Sequence, residues 1–130
     1  MIDTTQLYGF TGTERWRKWS ALFPRVLLTD GAHYIAENAG ENGAYWLMDA
    51  IAAYQPELLR VPSLQRFQLW KLEVDTTKHT ATLSCQEDSD LTPLVTQEIE
   101  YTDFDLPELR LYCMPTGDNK TQVILLPSEY

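Results

Sequence analysis

Asp49 sits inside Gly43-Ala-Tyr-Trp-Leu-Met-Asp-Ala-Ile-Ala-Ala-Tyr54, a run that is otherwise almost wholly apolar. A carboxylate in such company is either a catalytic group on a buried helix or the charge that gives a core helix its outside. With Asp30 and Tyr45 it makes a candidate cleft for a small ligand or an acid/base reaction. A second group of carboxylates crowds the last third of the chain: Glu87, Asp88, Asp90, Glu98, Glu100, Asp103, Asp105 and Glu108. Glu98 and Glu100 are two residues apart, so on a strand they share one face. Two such groups can bind a hard cation or work as an acid/base pair. A solvated strand face explains them equally well. As a binding surface, Glu98, Glu100, Asp103 and Asp105 would meet a basic protein partner or imitate the charge spacing of nucleic acid.

The nucleophile inventory is short. Cys85 and Cys113 both fall on the apolar side of an alternating pattern, and neither has a histidine beside it in sequence. Reactive thiols need an electropositive, partly open site, so two reduced core thiols are expected. His33 and His79 are the two histidines. There is no CxxC pair, GxSxG, HExxH, P-loop or GxGxxG. No metal site and no cofactor is expected. The aromatic residues Trp16, Trp19, Trp46, Trp70, Tyr34, Tyr45, Tyr54 and Tyr101 suit either a ligand-lining cleft or the filling of a small core.

The totals narrow the classes. The chain has 130 residues, enough for a single domain with one real core. Acidic residues number 19 against 10 basic, for a formal charge of −9. Phosphate-backbone binding needs a basic stripe, and only Arg15, Arg17 and Lys18, with Arg25 beyond, cluster at all. Direct nucleic-acid binding is therefore not expected. Apolar runs fall short of the roughly 20 residues that span a bilayer. The start, MIDTTQLYGF, lacks a basic segment followed by an apolar one, so a cytoplasmic protein is expected.

The elements that position these groups follow from periodicity. Residues 1–10 read as loosely ordered and 11–65 as mainly helical. Trp16, Trp19, Leu22 and Phe23 recur at helical spacing, with Thr13 as cap, Glu14 in the first turn and Pro24 as stop. Residues 26–38 fit a strand through Val26-Leu27-Leu28, or a helix over 30–38 capped by Thr29; the helix is favoured by Ala32, Ile35, Ala36 and Ala39. The next helix runs from an Asn42 cap to Gln55-Pro56 and shows Leu47, Ala50, Ile51 and Tyr54 on one face. Asp49 lies about 200° round from Leu47, beside Tyr45 and Ala52. That face is either covered, by the N-terminal helix or another copy of the chain, or it borders a cleft. From Phe67 the pattern alternates. Trp70, Leu72 and Val74 face Ala81, Leu83 and Cys85 across a turn at Asp75–Lys78. Val95, Ile99 and Tyr101 alternate with Thr96, Glu98, Glu100 and Thr102. A second hairpin joins 109–113 to 122–126. The expected architecture is α+β: N-terminal helices packed on one face of a four- or five-stranded antiparallel sheet.

Several stretches carry a family likeness. They are Leu28-Thr29-Asp30-Gly31 with Tyr34 and Ala36-Glu37; Gly43-Ala44-Tyr45-Trp46-Leu47 with Asp49-Ala50-Ile51-Ala52; Tyr54-Gln55; Gln97 through Phe104; and Leu126-Pro127-Ser128-Glu129-Tyr130. Together they resemble a small family of uncharacterised bacterial proteins, found partly on plasmids and among phage-related genes, that is carried as a domain of unknown function. The likeness spans roughly residues 10 to 130. The loop Gly40–Gly43 is longer here than in the family's pattern. The resemblance implies a family and no reaction. The expectation is a non-enzymatic module whose acidic surface engages a protein; the alternative is a ligand-binding protein or enzyme with its cleft at Asp30, Tyr45 and Asp49.

Overall fold

The computed structural model describes residues 1–7, 9–10, 16–20, 22–87, 92–118 and 120–130. Strands β1 (Trp16–Ser20) and β2 (Phe23–Thr29) pair antiparallel, with Trp16 opposite Thr29 and Lys18 opposite Leu27. Where the stretch expected as a helix over 13–23 is described, it is strand instead, in a hairpin: Trp16 stays 46% exposed, and pairing with β2 overrides the helix-friendly Arg17 and Lys18. The expected cap at Thr13 and Glu14 lies outside the described residues.

A short helix, α1 (Thr4–Leu7), lies within the segment expected to be loosely ordered. Residues 26–38 are strand and helix in succession. β2 runs directly into α2 (Asp30–Asn38), and Thr29 serves both as the last strand residue and as N-cap. Its Oγ1 accepts from Ala32 N–H at 3.3 Å, satisfying one of the amides that a helix start leaves unpaired. Gly40 and Gly43, at φ +63° and +83°, turn the chain into α3 (Tyr45–Leu58). Ala44 stands at the cap position expected for Asn42, without a side-chain cap. Pro56 does not stop the helix: Leu59 N–H still reaches Gln55 C=O at 2.9 Å. The buried face of α3 is Leu47, Met48, Ile51, Ala52, Gln55 and Leu58. Ala52, expected beside Asp49, is therefore inward.

Strands β3 (Gln68–Asp75), β4 (Thr80–Gln86), β5 (Val95–Ile99), β6 (Glu108–Pro115) and β7 (Gln122–Leu125) follow. Among the described residues seven strands form one sheet in the order β1-β2-β7-β6-β3-β4-β5. The fold is α+β as expected, but the sheet is mixed and larger than four or five antiparallel strands. The extra pair is the N-terminal hairpin, and β2 joins β7 in parallel, Val26 opposite Gln122 and Leu28 opposite Ile124. β5 ends at Ile99, and Tyr101, expected inward, is 72% exposed.

One sheet face carries Val26, Leu28, Ile124, Cys113, Leu111, Trp70, Leu72, Leu83 and Cys85, which form the main core with α2 and α3. Two glutamines bolt α3 to the sheet. Gln55 Nε2 donates to Gln68 Oε1 at 2.9 Å, Gln68 Nε2 donates to Gln55 Oε1 at 2.8 Å, and Trp70 Nε1 adds a third bond to Gln68 Oε1 at 2.9 Å. The opposite sheet face buries Leu69, Val123 and Leu125 near a ring cluster in which Phe67, Tyr112 and Tyr130 meet edge-on, centroids 4.8 to 6.2 Å apart. Among the described residues no helix is long and apolar enough to cross a membrane.

Candidate functional site

The C-terminal Leu126–Tyr130 segment folds back onto the start of α2. Glu129, only 7% exposed, accepts from Thr29 Oγ1 at 2.6 Å, Gly31 N–H at 3.1 Å and Leu126 N–H at 3.0 Å. Its carboxylate therefore faces the positive end of α2. A Cβ on Gly31 would run into that carboxylate and into the Leu126 side chain, so close approach requires glycine. Two stretches that carry the family likeness, Thr29-Asp30-Gly31 and Leu126–Tyr130, are thus one structural joint. Asp30, by contrast, turns outward and pairs with Arg17 Nε at 3.2 Å.

Asp103 and Asp105 are half-buried anchors rather than free surface charges. Asp105 accepts from Gly40 N–H at 3.0 Å and Ile2 N–H at 2.6 Å; Asp103 accepts from Glu41 N–H at 2.9 Å. They hold the α2–α3 loop and the N-terminal segment. Sequence reading missed this job, although Gly40 was a signal: its left-handed backbone brings it against Asp103, where a Cβ would collide. Glu98 and Glu100 remain exposed, so the four carboxylates divide into two pairs with different work.

Tyr45 and Asp49 both lie exposed on the outer side of α3, and each makes contacts of its own. Five cavities on the described surface have linings that do not include Asp30, Tyr45 or Asp49.

The exposed acid belongs to the sheet instead. Register places Glu108, Glu73, Thr82 and Glu98 directly across β6, β3, β4 and β5 in one row. Neighbouring strands stand about 4.8 Å apart, so the row runs perpendicular to the strands at that pitch. The next row holds Arg110 and Lys71. Arg110 pairs with Glu108 at 2.8 Å and Lys71 with Glu73 at 3.5 Å. Glu98 has Thr82 Oγ1 donating to it at 3.1 Å and no cation within ion-pair distance among the described residues. Glu73, Asp75 and Glu98 line an open groove of about 510 Å³ with Thr76, Thr80 and Pro107. Asp75 sits at the hairpin turn, where the amides of Lys78 and Thr77 hold its carboxyl below the usual range. Glu73 and Asp75 went unnoticed in sequence because only strand register brings them beside Glu98. The expected acidic loop 88–90 lies outside the described residues.

The remaining reactive groups are occupied. Burial raises the Cys85 thiol to about 12 and pushes Cys113 up as well. His33 lies 3.2 Å from Glu37 one turn along α2, and His79 stacks beside Tyr101. Among the described residues no three of His, Cys, Asp and Glu converge as a metal site requires.

Comparison with known proteins agrees with the fold. No match was found among curated proteins. A crystal structure of a protein of unknown function from Enterococcus faecalis is similar, with a TM-score of 0.58 and 13% identity over 89% of this chain and 98% of that one. At that identity the likeness concerns architecture alone. The model of a family of unknown function, DUF6876, matches residues 2–130, and the chain belongs to that family.

Proposed function

We propose that this protein is a non-enzymatic interaction module that holds a basic segment of a protein partner on its acidic sheet face. The observation that carries the reading is the cross-strand row Glu108–Glu73–Thr82–Glu98, opening at Glu98 onto the groove shared with Asp75. Among the described residues β5 is one of the sheet's two edges, where a further strand could pair. A partner strand laid there would place alternate side chains over Glu98, and Lys or Arg at those positions would meet a carboxylate that lacks a cation. Asp103 and Asp105 contribute indirectly, by fixing the segment that follows β5.

The test is affinity capture from the native host with mass spectrometry, comparing the natural chain with one carrying Glu73→Lys, Glu98→Lys and Glu100→Lys. All three are exposed, so the fold should persist. Like charges facing one another cost several kcal/mol, so partners held by this face should drop at least about tenfold, or 1.4 kcal/mol. Equal capture by both chains would sink the reading.

A further inference from the structure

We infer that the cavity between the C-terminal half of α3 and the start of β2 is a binding site for a small organic anion with an apolar body and an N–H or O–H donor. The cavity has a volume of about 360 Å³, within the roughly 300–1,000 Å³ usual for small-molecule sites. Its walls are mostly apolar: Phe23, Pro24 and Val26 from β2, Ala52 and Pro56 from α3, and Leu59 just beyond it, with the fully paired Gln55 among them. Two polar features interrupt them.

The first is charge. Arg25 and Lys120 line the cavity, and no Asp or Glu does. An adjoining cavity of about 410 Å³ shares Leu59 and Gln122 and adds Arg66, again with no carboxylate. Three of the chain's 10 basic residues thus line these two cavities in a protein that has 19 acidic ones. Arg25, Lys120 and Arg66 form no ion pair among the described residues. The Lys120 loop is held in place, since Asp118 Oδ1 accepts from Lys120 N–H at 2.8 Å and Thr121 N–H at 2.7 Å. An anion entering here would replace no existing partner of these cations.

The second is Gln122. It is 7% exposed, lines both cavities, and its Oε1 is a buried oxygen without a hydrogen-bond donor. Buried polar atoms are seldom left so. Nearby Gln55 shows the contrast, with both its amide atoms paired. The terminal amide torsion is broad and two-fold, so a turn of the Gln122 amide presents its oxygen to a donor in the cavity. The geometry therefore specifies three features together: donor inside, apolar body between, anion at the mouth. The site lies apart from the acidic groove, whose lining shares none of these residues.

Indolepropionate has all three features and serves as the probe, in a two-dimensional amide NMR titration of the full chain. Shifts are expected around Arg25, Leu59 and Gln122. Tryptamine, with a cation in place of the anion, should bind at least about tenfold more weakly, as should indolepropionate to the Arg25→Glu/Lys120→Glu chain. Both substituted residues are exposed, so folding is spared. N-methylindolepropionate, lacking the donor, should bind about fivefold more weakly, and Gln122→Leu should abolish that difference. Equal binding of tryptamine, shifts confined to other regions, or unchanged binding to the charge-reversed chain would overturn the inference. A short peptide ending in a free tryptophan carboxylate that binds more tightly than the free acid would also overturn it, making the site one for chain ends.

Discussion

Glu129 offers the sharpest test of how this fold is held. Glu129→Ala removes the acceptor for Thr29 Oγ1, Gly31 N–H and Leu126 N–H at once. Each stranded buried donor costs about 1–3 kcal/mol, while Thr29 Oγ1 keeps a second acceptor in Ile124 C=O at 3.4 Å. Pro127 and Ser128 beside it are exposed, so water can reach part of the gap and recover some bonds. The expected loss is the lower part of that sum, about 3–5 kcal/mol, against a typical total of roughly 5–15. Glu129→Gln keeps one acceptor oxygen but turns an amino group towards the remaining donors, and should cost about 1–3 kcal/mol. Gly31→Ala drives its new Cβ into the same carboxylate, so it should behave like a partial Glu129 deletion. The two changes share a cause and should be sub-additive by about 0.5–3 kcal/mol. Urea unfolding with a common slope is the assay. A Glu129→Ala loss below about 1 kcal/mol, or strict additivity with Gly31→Ala, would refute the argument.

Two further outcomes follow from the interior. Gln55→Leu leaves Gln68 Nε2 with only Leu64 C=O, at 3.3 Å, and should destabilise by about 1–3 kcal/mol, and Gln55→Leu/Gln68→Leu should cost more still, because it also strands the buried Trp70 Nε1–H; urea midpoints decide it. The Cys85 thiol is held at about 12 against an ordinary 9.0, so burial as the neutral thiol favours the fold below pH 9. As pH climbs from 9 to about 12 the unfolded chain ionises first and stability falls. Cys85→Ala should flatten that decline, and native Cys85 should resist thiol reagents at pH 8 until the chain unfolds.

Local alternation made the β3–β4 hairpin legible, because Trp70, Leu72 and Val74 pack on the same face as Ala81, Leu83 and Cys85. The helix α3 was legible for the same reason, although its buried face is turned towards Met48 and Ala52. The N-terminal hairpin was not. Trp16, Trp19, Leu22 and Phe23 mimic a helical period, and only the pairing of Trp16–Ser20 with β2 shows that the segment is a strand. The parallel bond between β2 and β7 leaves no local trace, since its partners are about ninety-six residues apart, as Val26 and Gln122 are. Long sequence separation likewise hid the meeting of Gly31 with Glu129 and of Gly40 with Asp103. A carboxylate that receives backbone amides looks, in sequence, like any surface acid.

The place of β7 in the sheet has a consequence for biogenesis. It is the last strand in chain order, yet it lies between β2 and β6. Until it is synthesised, the β1–β2 hairpin and the β6-β3-β4-β5 block have no shared ladder, and each exposes an unpaired edge to its neighbours. A ribosome-bound chain therefore carries two unfinished sheets until β7 joins them. Translation pauses or premature stops before Gln122 should yield aggregation-prone halves rather than a smaller working protein.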